Sequence, residues 1–185
     1  MDFSKFKTSD WLKIGGGVAF LIFGFLNWVT ASIGGVDVPG ADTPNVFDFF
    51  WTGTLPWILV LGTAVVTFLM INGTMKAGGL PWPLIMLAAT GLAALLLLIR
   101  VLFNPIEGAD AAEKIYGIEF SRGIGMIGSV IGGCVAFAGA LMGFTESGGN
   151  LSDLKDMNKM KSQFGGGNSA PPPPPPGMPP PPPPR

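Results

Sequence analysis

The 185-residue chain contains no histidine, one cysteine and few charged side chains. Histidine is the commonest general base and metal ligand, so its absence leaves little chemistry for a hydrolase or a metal centre. The single cysteine, Cys134, excludes an intramolecular disulfide and any Cys-x-x-Cys metal site. These absences predict a protein that is not an enzyme, with no catalytic residue, no metal site and no cofactor.

Charged residues are scarce throughout the chain. Only 12% of the residues are charged, whereas soluble domains carry about 25%. The mean hydropathy is +0.49. The formal net charge is −1, so the chain offers no strongly basic surface to nucleic acid. The composition therefore predicts an integral membrane protein whose main partner is the lipid bilayer, and no nucleic-acid partner.

Four apolar windows are long enough to cross a bilayer, whose hydrocarbon core of ~30 Å takes about 20 helical residues. They cover residues 14–33, 56–71, 80–99 and 123–144. Inside lipid the backbone must satisfy its own hydrogen bonds, so each window is predicted to form a helix. The predicted fold class is all-α: a four-helix transmembrane bundle over residues 14–144, preceded by a cytoplasmic N-terminus over residues 1–13.

The distribution of lysine and arginine predicts the orientation of this bundle. With the N-terminus inside, most of these cations lie in cytoplasmic segments, whereas the first outer loop, residues 34–54, carries three aspartates and no cation. We therefore expect a multi-pass protein of the cell membrane with both termini in the cytoplasm. Arg100, at the outer end of the third window, is expected to extend its guanidinium to the lipid headgroups.

An alternative concerns the first window, because Val29-Thr30-Ala31 has the small-residue spacing of a signal-peptidase site after an apolar stretch. Cleavage after Ala31 would leave three spans in the same orientation. The apolar stretch continues to Ile33 and is interrupted by the large side chain of Trp28, which favours a retained first span. The sequence leaves both alternatives open.

The fourth window contains a row of small residues at a spacing of four, formed by Gly128, Gly132, Ala136 and Ala140. Such a row makes a flat ridge on which another helix approaches closely, and contacts of this kind hold helices together in lipid. These four are the predicted helix-packing residues. Two interpretations stay open: the ridge packs inside the chain against the first or third helix, or it forms a homo-oligomer or binds the helix of a partner.

The composition changes after the fourth window. Within residues 145–164 an apolar side chain recurs every three residues among lysines, at Leu151, Leu154, Met157 and Met160. This spacing predicts a juxtamembrane amphipathic helix on the inner leaflet, and the alternative is a partly disordered segment. Residues 165–185 combine a glycine linker with a disordered polyproline tail, which adopts polyproline II and fits the aromatic-lined grooves of binding domains. The predicted partner-binding residues are Pro171, Pro172, Pro173, Pro174, Pro175, Pro176, Pro179, Pro180, Pro181, Pro182, Pro183, Pro184 and Arg185. In this interpretation the tail binds a cytoplasmic polyproline-binding protein, and the alternative is a spacer without a partner.

The segments WLKIGGGVAFLIFGFLNWV and WPLIMLAATGLAALLLLIRVLF, together with the proline-rich tail, resemble small actinobacterial tetraspan membrane proteins of unknown function. The resemblance implies the same four-span architecture and assigns a role to no residue. The first outer loop has no cysteine and so lacks the signature of the claudins, another tetraspan family. The expected function is that of a non-enzymatic membrane anchor or scaffold that recruits a cytoplasmic partner through its tail. The alternative is a small oligomeric carrier or pore for a solute.

Overall fold

The computed structural model describes residues 3–38, 44–75, 80–103, 115 and 117–150. This part of the chain is mostly helical and contains four long helices. They are α1 (Thr8–Gly24), α2 (Leu55–Ile71), α3 (Trp82–Phe103) and α4 (Ile124–Glu146). Short helical turns over Phe3–Lys5 and Val46–Asp48 precede α1 and α2, and a π-helical turn, Phe50–Thr54, runs directly into α2.

Three helical segments of the described chain are long and apolar enough to cross a bilayer. They are Phe50–Ile71, Trp82–Phe103 and Ile124–Glu146. The helices they contain, α2, α3 and α4, coincide with the second, third and fourth sequence windows to within about one helical turn. Their length and composition indicate a membrane protein.

In the first window the predicted bounds of the helix, residues 14–33, are wrong, although residues 14–24 do lie in α1. α1 begins earlier, at Thr8, where the Asp10 carboxylate accepts a backbone hydrogen bond at 3.2 Å and caps the first turn. The helix ends at Gly24, and residues 29–33 form a β-strand instead. This segment is rich in β-branched side chains, which favour strands, and pairing with a distant segment supplies its backbone hydrogen bonds.

A small antiparallel sheet, which the all-α prediction did not contain, lies at one end of the helices. Its strands are β1 (Val29–Ile33), β2 (Val36–Asp37) and β3 (Ile118–Arg122), in the order β2-β1-β3. β1 follows α1 and β3 precedes α4, so the pairing of Val29 with Arg122 joins segments that are far apart in sequence. Gly34 and Gly35, with φ of 58° and 79°, make the tight turn between β1 and β2.

The four helices run alternately up and down in a square arrangement. α1 packs against α2 and α4, and α3 packs against the same two neighbours, so α1 and α3 lie diagonally opposite. The start of α1 lies beside the end of α4, where the Ser9 hydroxyl donates a hydrogen bond to Glu146 at 2.8 Å. We call this the terminal end of the bundle, and the opposite end, which carries the β-strands, the sheet end.

Helices α1 and α4 touch through their backbones. A Cβ atom placed on Gly16 would lie only 2.6 Å from the carbonyl oxygen of Gly132 and from the amide nitrogen of Ala136. A Cβ on Gly132 would in turn lie 2.9 Å from the carbonyl oxygen of Gly16. Glycine at both positions therefore permits the contact. Close van der Waals packing of this kind holds helices together where lipid supplies no hydrophobic drive between them.

Gly16→Leu is expected to push α1 away from α4 and to destabilise the fold by at least about 1–3 kcal/mol, the usual cost of overpacking a core. Gly15→Leu is the matched control, since a Cβ on Gly15 meets no described atom within 4 Å. Equilibrium unfolding of both variants in detergent micelles measures the difference. Equal stability of the two variants would mean that the backbone contact is not what holds α1 in place.

Candidate functional site

The predicted helix-packing residues lie on the side of α4 that packs inside the bundle. Gly128, Gly132, Ala136 and Ala140 are all buried. Gly128 lies against the ring of Phe23, and Gly132 lies against the backbone of α1. The row thus packs within the chain, and a homo-oligomer formed through it would first have to displace α1.

The predicted partner-binding residues of the tail, Pro171–Pro176, Pro179–Pro184 and Arg185, lie outside the described residues. The same holds for most of the predicted amphipathic segment, of which only residues 145–150 are described. Two other clusters are formed by described residues, one at each end of the bundle.

At the sheet end, Arg100 of α3 turns into the protein rather than toward the lipid headgroups. Only 2% of its surface is exposed, so the prediction that it extends to the membrane surface is wrong. Its guanidinium carbon lies 3.7 Å from the ring centroid of Phe49, and that ring stacks on Trp28 with the centroids 6.2 Å apart. A cation over an aromatic face is attracted by the ring quadrupole. The stack therefore holds two segments against α3: the one after α1, which contains Trp28, and the one before α2, which contains Phe49.

At the terminal end, a cavity of about 150 Å³ lies between all four helices. Its lining includes Asp10 and Lys13 of α1, Met70 of α2, Trp82 and Met86 of α3, and Gly143 of α4. The α1 wall is charged, whereas the other walls are almost entirely apolar. We call this space the terminal cavity.

The charged wall of the terminal cavity is an ion pair between Lys13 and Asp10, with 2.9 Å between Nζ and Oδ1. Both side chains are largely shielded from solvent, at 9% and 15% exposure. Shielding strengthens the attraction between opposite charges, and each partner offsets much of the cost of burying the other. Gly143 leaves room for the ammonium, because a Cβ at that position would lie 3.3 Å from Nζ.

A second polar contact closes the same end of the bundle. The Ser9 hydroxyl donates to a Glu146 oxygen at 2.8 Å, and the Lys7 ammonium lies 4.0 Å from that oxygen. The Lys7 side chain is 68% exposed, so solvent screens its attraction to the carboxylate. The hydrogen bond from Ser9 therefore provides the firmer link between the first and last helices.

The terminal cavity combines one ammonium, one carboxylate and walls that are apolar apart from the Thr67 hydroxyl. Such a set of groups recognises a ligand by charge and shape. Within the described ranges, no group of three or more His, Cys, Asp or Glu side chains is arranged to hold a metal ion. The chemistry that the described lining offers is thus ion pairing and hydrogen bonding to a bound molecule.

A second cavity, of about 170 Å³, lies between α2 and α3 and opens on the outer surface of the bundle. Its lining is apolar apart from Thr63, and Gly62 forms part of it. Trp82 and Met86 line both this α2–α3 groove and the terminal cavity, so the two spaces are neighbours.

No protein-family model, curated protein or solved structure matches the chain. The resemblance to small actinobacterial tetraspan proteins therefore stays a prediction, and it contributes no site residue. Function is accordingly inferred from the geometry at the two ends of the bundle.

Sequence reasoning missed the pairing of Asp10 with Lys13. A first helix that starts at residue 14 leaves both residues in the N-terminal segment, whereas the observed start at Thr8 places them inside α1. Side chains three residues apart meet on a helix, so their spacing was the available signal. No spacing in the sequence indicated that Arg100 lies over the ring of Phe49, which stacks on Trp28, because these residues lie far apart along the chain and meet only in the fold.

Asp10→Asn is expected to lower the free energy of unfolding by about 2 kcal/mol, because Lys13 then stays shielded without its counter-charge. Breaking a fully buried pair costs ~3–5 kcal/mol, and the loss here is smaller because both side chains keep some exposure. The double variant Asp10→Asn/Lys13→Met removes both charges and is expected to recover most of the loss. Equilibrium unfolding in detergent measures both, and Lys7→Met is the control at an exposed cation of the same end. A double variant as unstable as Asp10→Asn would mean that the two charges do not compensate each other.

Proposed function

We propose that the chain is a four-span membrane anchor that presents its C-terminal tail to a cytoplasmic partner. The observation that carries this proposal is the hydrogen bond between Ser9 and Glu146, which holds the start of the first helix and the end of the last at the same end of the bundle. The chain after Glu146 therefore leaves the bundle beside the start of α1. A compact bundle with a proline-rich segment at one end suits a tether for a soluble partner.

In this proposal α1 is a fourth span, in addition to α2, α3 and α4. Its 17 residues cover only about 26 Å at 1.5 Å per residue. It lies alongside α4 from one end to the other: Ser9 contacts Glu146, and Leu26, just after α1, lies against Gly125. Because α4 is itself long enough to cross a bilayer, a helix beside its whole length crosses as well. Local thinning of the bilayer accommodates the shorter span.

The cations support the orientation. Lys5, Lys7 and Lys13 lie at the terminal end, and the positive-inside rule assigns such an end to the cytoplasm. The sheet end then faces outward. Both termini are cytoplasmic in this proposed topology.

The alternative function is a small oligomeric carrier or pore, and the terminal cavity is the observation that favours it. The anchor is preferred because two core hydroxyls bond back to their own helices: Thr63 donates to the Leu59 carbonyl at 2.9 Å, and Thr90 to the Met86 carbonyl at 2.7 Å. Hydroxyls satisfied in this way act as helix-internal groups rather than as ligands for a passing solute. Solute flux in liposomes that persists after removal of the tail would favour the carrier.

Single cysteines in a Cys134→Ser background test the topology. Val36→Cys, at a position 71% exposed beside the β1–β2 turn, is expected to react with a membrane-impermeant maleimide on intact cells. Ser4→Cys and Ser147→Cys, at exposed positions of the terminal end, are expected to react only after permeabilisation. Labelling of Val36→Cys and Ser4→Cys from the same side of the membrane would mean that α1 does not span it.

Replacing both six-proline runs, residues 171–176 and 179–184, by glycine-serine repeats of equal length is expected to abolish capture of a cytoplasmic partner. Length and net charge stay the same, so lost binding reports the polyproline II conformation. The measurement is affinity purification from native membranes with the wild-type chain, this variant and a truncation before Gly165. A soluble peptide of residues 171–185 should compete for the partner. If all three chains retrieve the same proteins, the tail is a spacer and the proposed function is wrong.

A further inference from the structure

The Lys13 ammonium in the terminal cavity has hydrogen-bonding capacity left over. An ammonium carries three N–H donors, and among the described residues Asp10 is the one group with which Nζ forms an ion pair. The Lys13 side chain is 9% exposed and lines the cavity. N–H donors that are shielded from water cost free energy when they lack a partner, so an acceptor atom on a molecule that enters the cavity would stabilise them.

The Asp10 carboxylate beside Lys13 can accept further hydrogen bonds. Its two oxygens offer about four lone-pair sites; Oδ1 contacts Lys13, and Oδ2 accepts from the backbone N of Lys7 at 3.2 Å. A donor group and an acceptor group thus lie next to each other on one wall of the cavity.

The balance of charge at this wall favours a zwitterion. Lys13 and Asp10 neutralise each other, so a ligand with one net charge would leave uncompensated charge in a shielded site. At the same end, Lys7 and Glu146 form a second pair of opposite charges, with 4.0 Å between the ammonium and the carboxylate oxygen. This pair adds no net charge. A molecule with one anionic and one cationic group keeps the site neutral and bonds to both Lys13 and Asp10.

The apolar walls favour an amphiphile over a soluble zwitterion. Trp82 and Met86 line both the terminal cavity and the α2–α3 groove, which is apolar and opens on the outer surface of the bundle. A molecule with its polar group in the cavity can therefore reach the groove with an alkyl chain that passes along these two side chains. The cavity of about 150 Å³ accommodates a group of roughly the size of benzene, which is close to the size of an ethanolamine with part of its phosphate.

We infer that the terminal cavity binds the headgroup of a phospholipid with a primary ammonium, its phosphate at Lys13, its ammonium at Asp10 and part of an acyl chain in the α2–α3 groove. Phosphatidylethanolamine has this chemistry. Phosphatidylcholine carries the same charges, but its quaternary ammonium has no N–H to donate to Asp10, and phosphatidylglycerol has no cation. The inference rests on a bundle that lies in the membrane and does not depend on the tail or its partner.

Native mass spectrometry of the full chain, stripped of lipid in detergent and titrated with these three phospholipids, tests the assignment. With identical acyl chains, phosphatidylethanolamine is expected to bind about tenfold more tightly than the other two, the effect of one charge-assisted hydrogen bond. The double variant Asp10→Asn/Lys13→Met, which replaces both binding groups and is expected to fold, is expected to remove this preference. Lys7→Met, which removes an exposed cation at the same end, is the control and is expected to keep it.

Gly62→Leu tests the groove independently of the ion pair. A Cβ on Gly62 meets nothing within 4 Å among the described atoms, so the backbone has room for a leucine side chain that occupies part of the groove. Binding of phosphatidylethanolamine is expected to weaken about tenfold, the effect of excluding about two methylene groups. Gly15→Leu, on an equally open face of α1, is the matched control and is expected to leave binding unchanged.

Equal binding of the three phospholipids, or tighter binding of phosphatidylglycerol, would overturn the assignment. Titration with soluble phosphoethanolamine tests whether the acyl chains contribute to binding. If it binds as tightly as the lipid and Gly62→Leu has no effect, the cavity takes a small zwitterion from solution and the lipid assignment is wrong. Truncation of the tail is expected to leave lipid binding intact, so a failure of this inference is distinguishable from a failure of the proposed function.

Discussion

The backbones of α1 and α4 lie in direct contact, and this contact positions the other elements of the fold. Gly16 and Gly132 make the contact possible, and in lipid such close packing replaces the hydrophobic drive that holds soluble bundles together. Since these are the first and last helices, their contact closes the ring of four. It also brings β1, which follows α1, next to β3, which precedes α4, so that the two strands pair.

The two ends of the bundle each bury a cation, and they stabilise it differently. Arg100 lies over the Phe49 ring, which itself stacks on Trp28, so this cation fastens the segments of the sheet end to α3. Lys13 pairs with Asp10 at the edge of a cavity. Buried ionisable groups in membrane proteins are costly and mark functional sites by default. Of the two, Lys13 is the one whose charge faces a space that a ligand can enter.

Three of the helices were predictable because, in lipid, apolar length selects a helix almost by itself. The same argument failed for the first window. Apolar and β-branched residues suit a strand as well as a helix, and hydropathy over a short run does not distinguish them. The error moved the start of α1 past Asp10 and Lys13, and so concealed the charged wall of the terminal cavity. The small residues on α4 were recognised from spacing alone, although spacing could not say which helix they meet.

Membrane character, the approximate extent of α2, α3 and α4, and the small residues through which α4 packs could all be predicted from the amino-acid sequence. Each of these depends on side chains that are close together along the chain. The three-stranded sheet, the inward turn of Arg100 and the cavity beside Lys13 became apparent only in the folded chain. These features join residues from separate elements, and no local spacing specifies which distant segments come into contact.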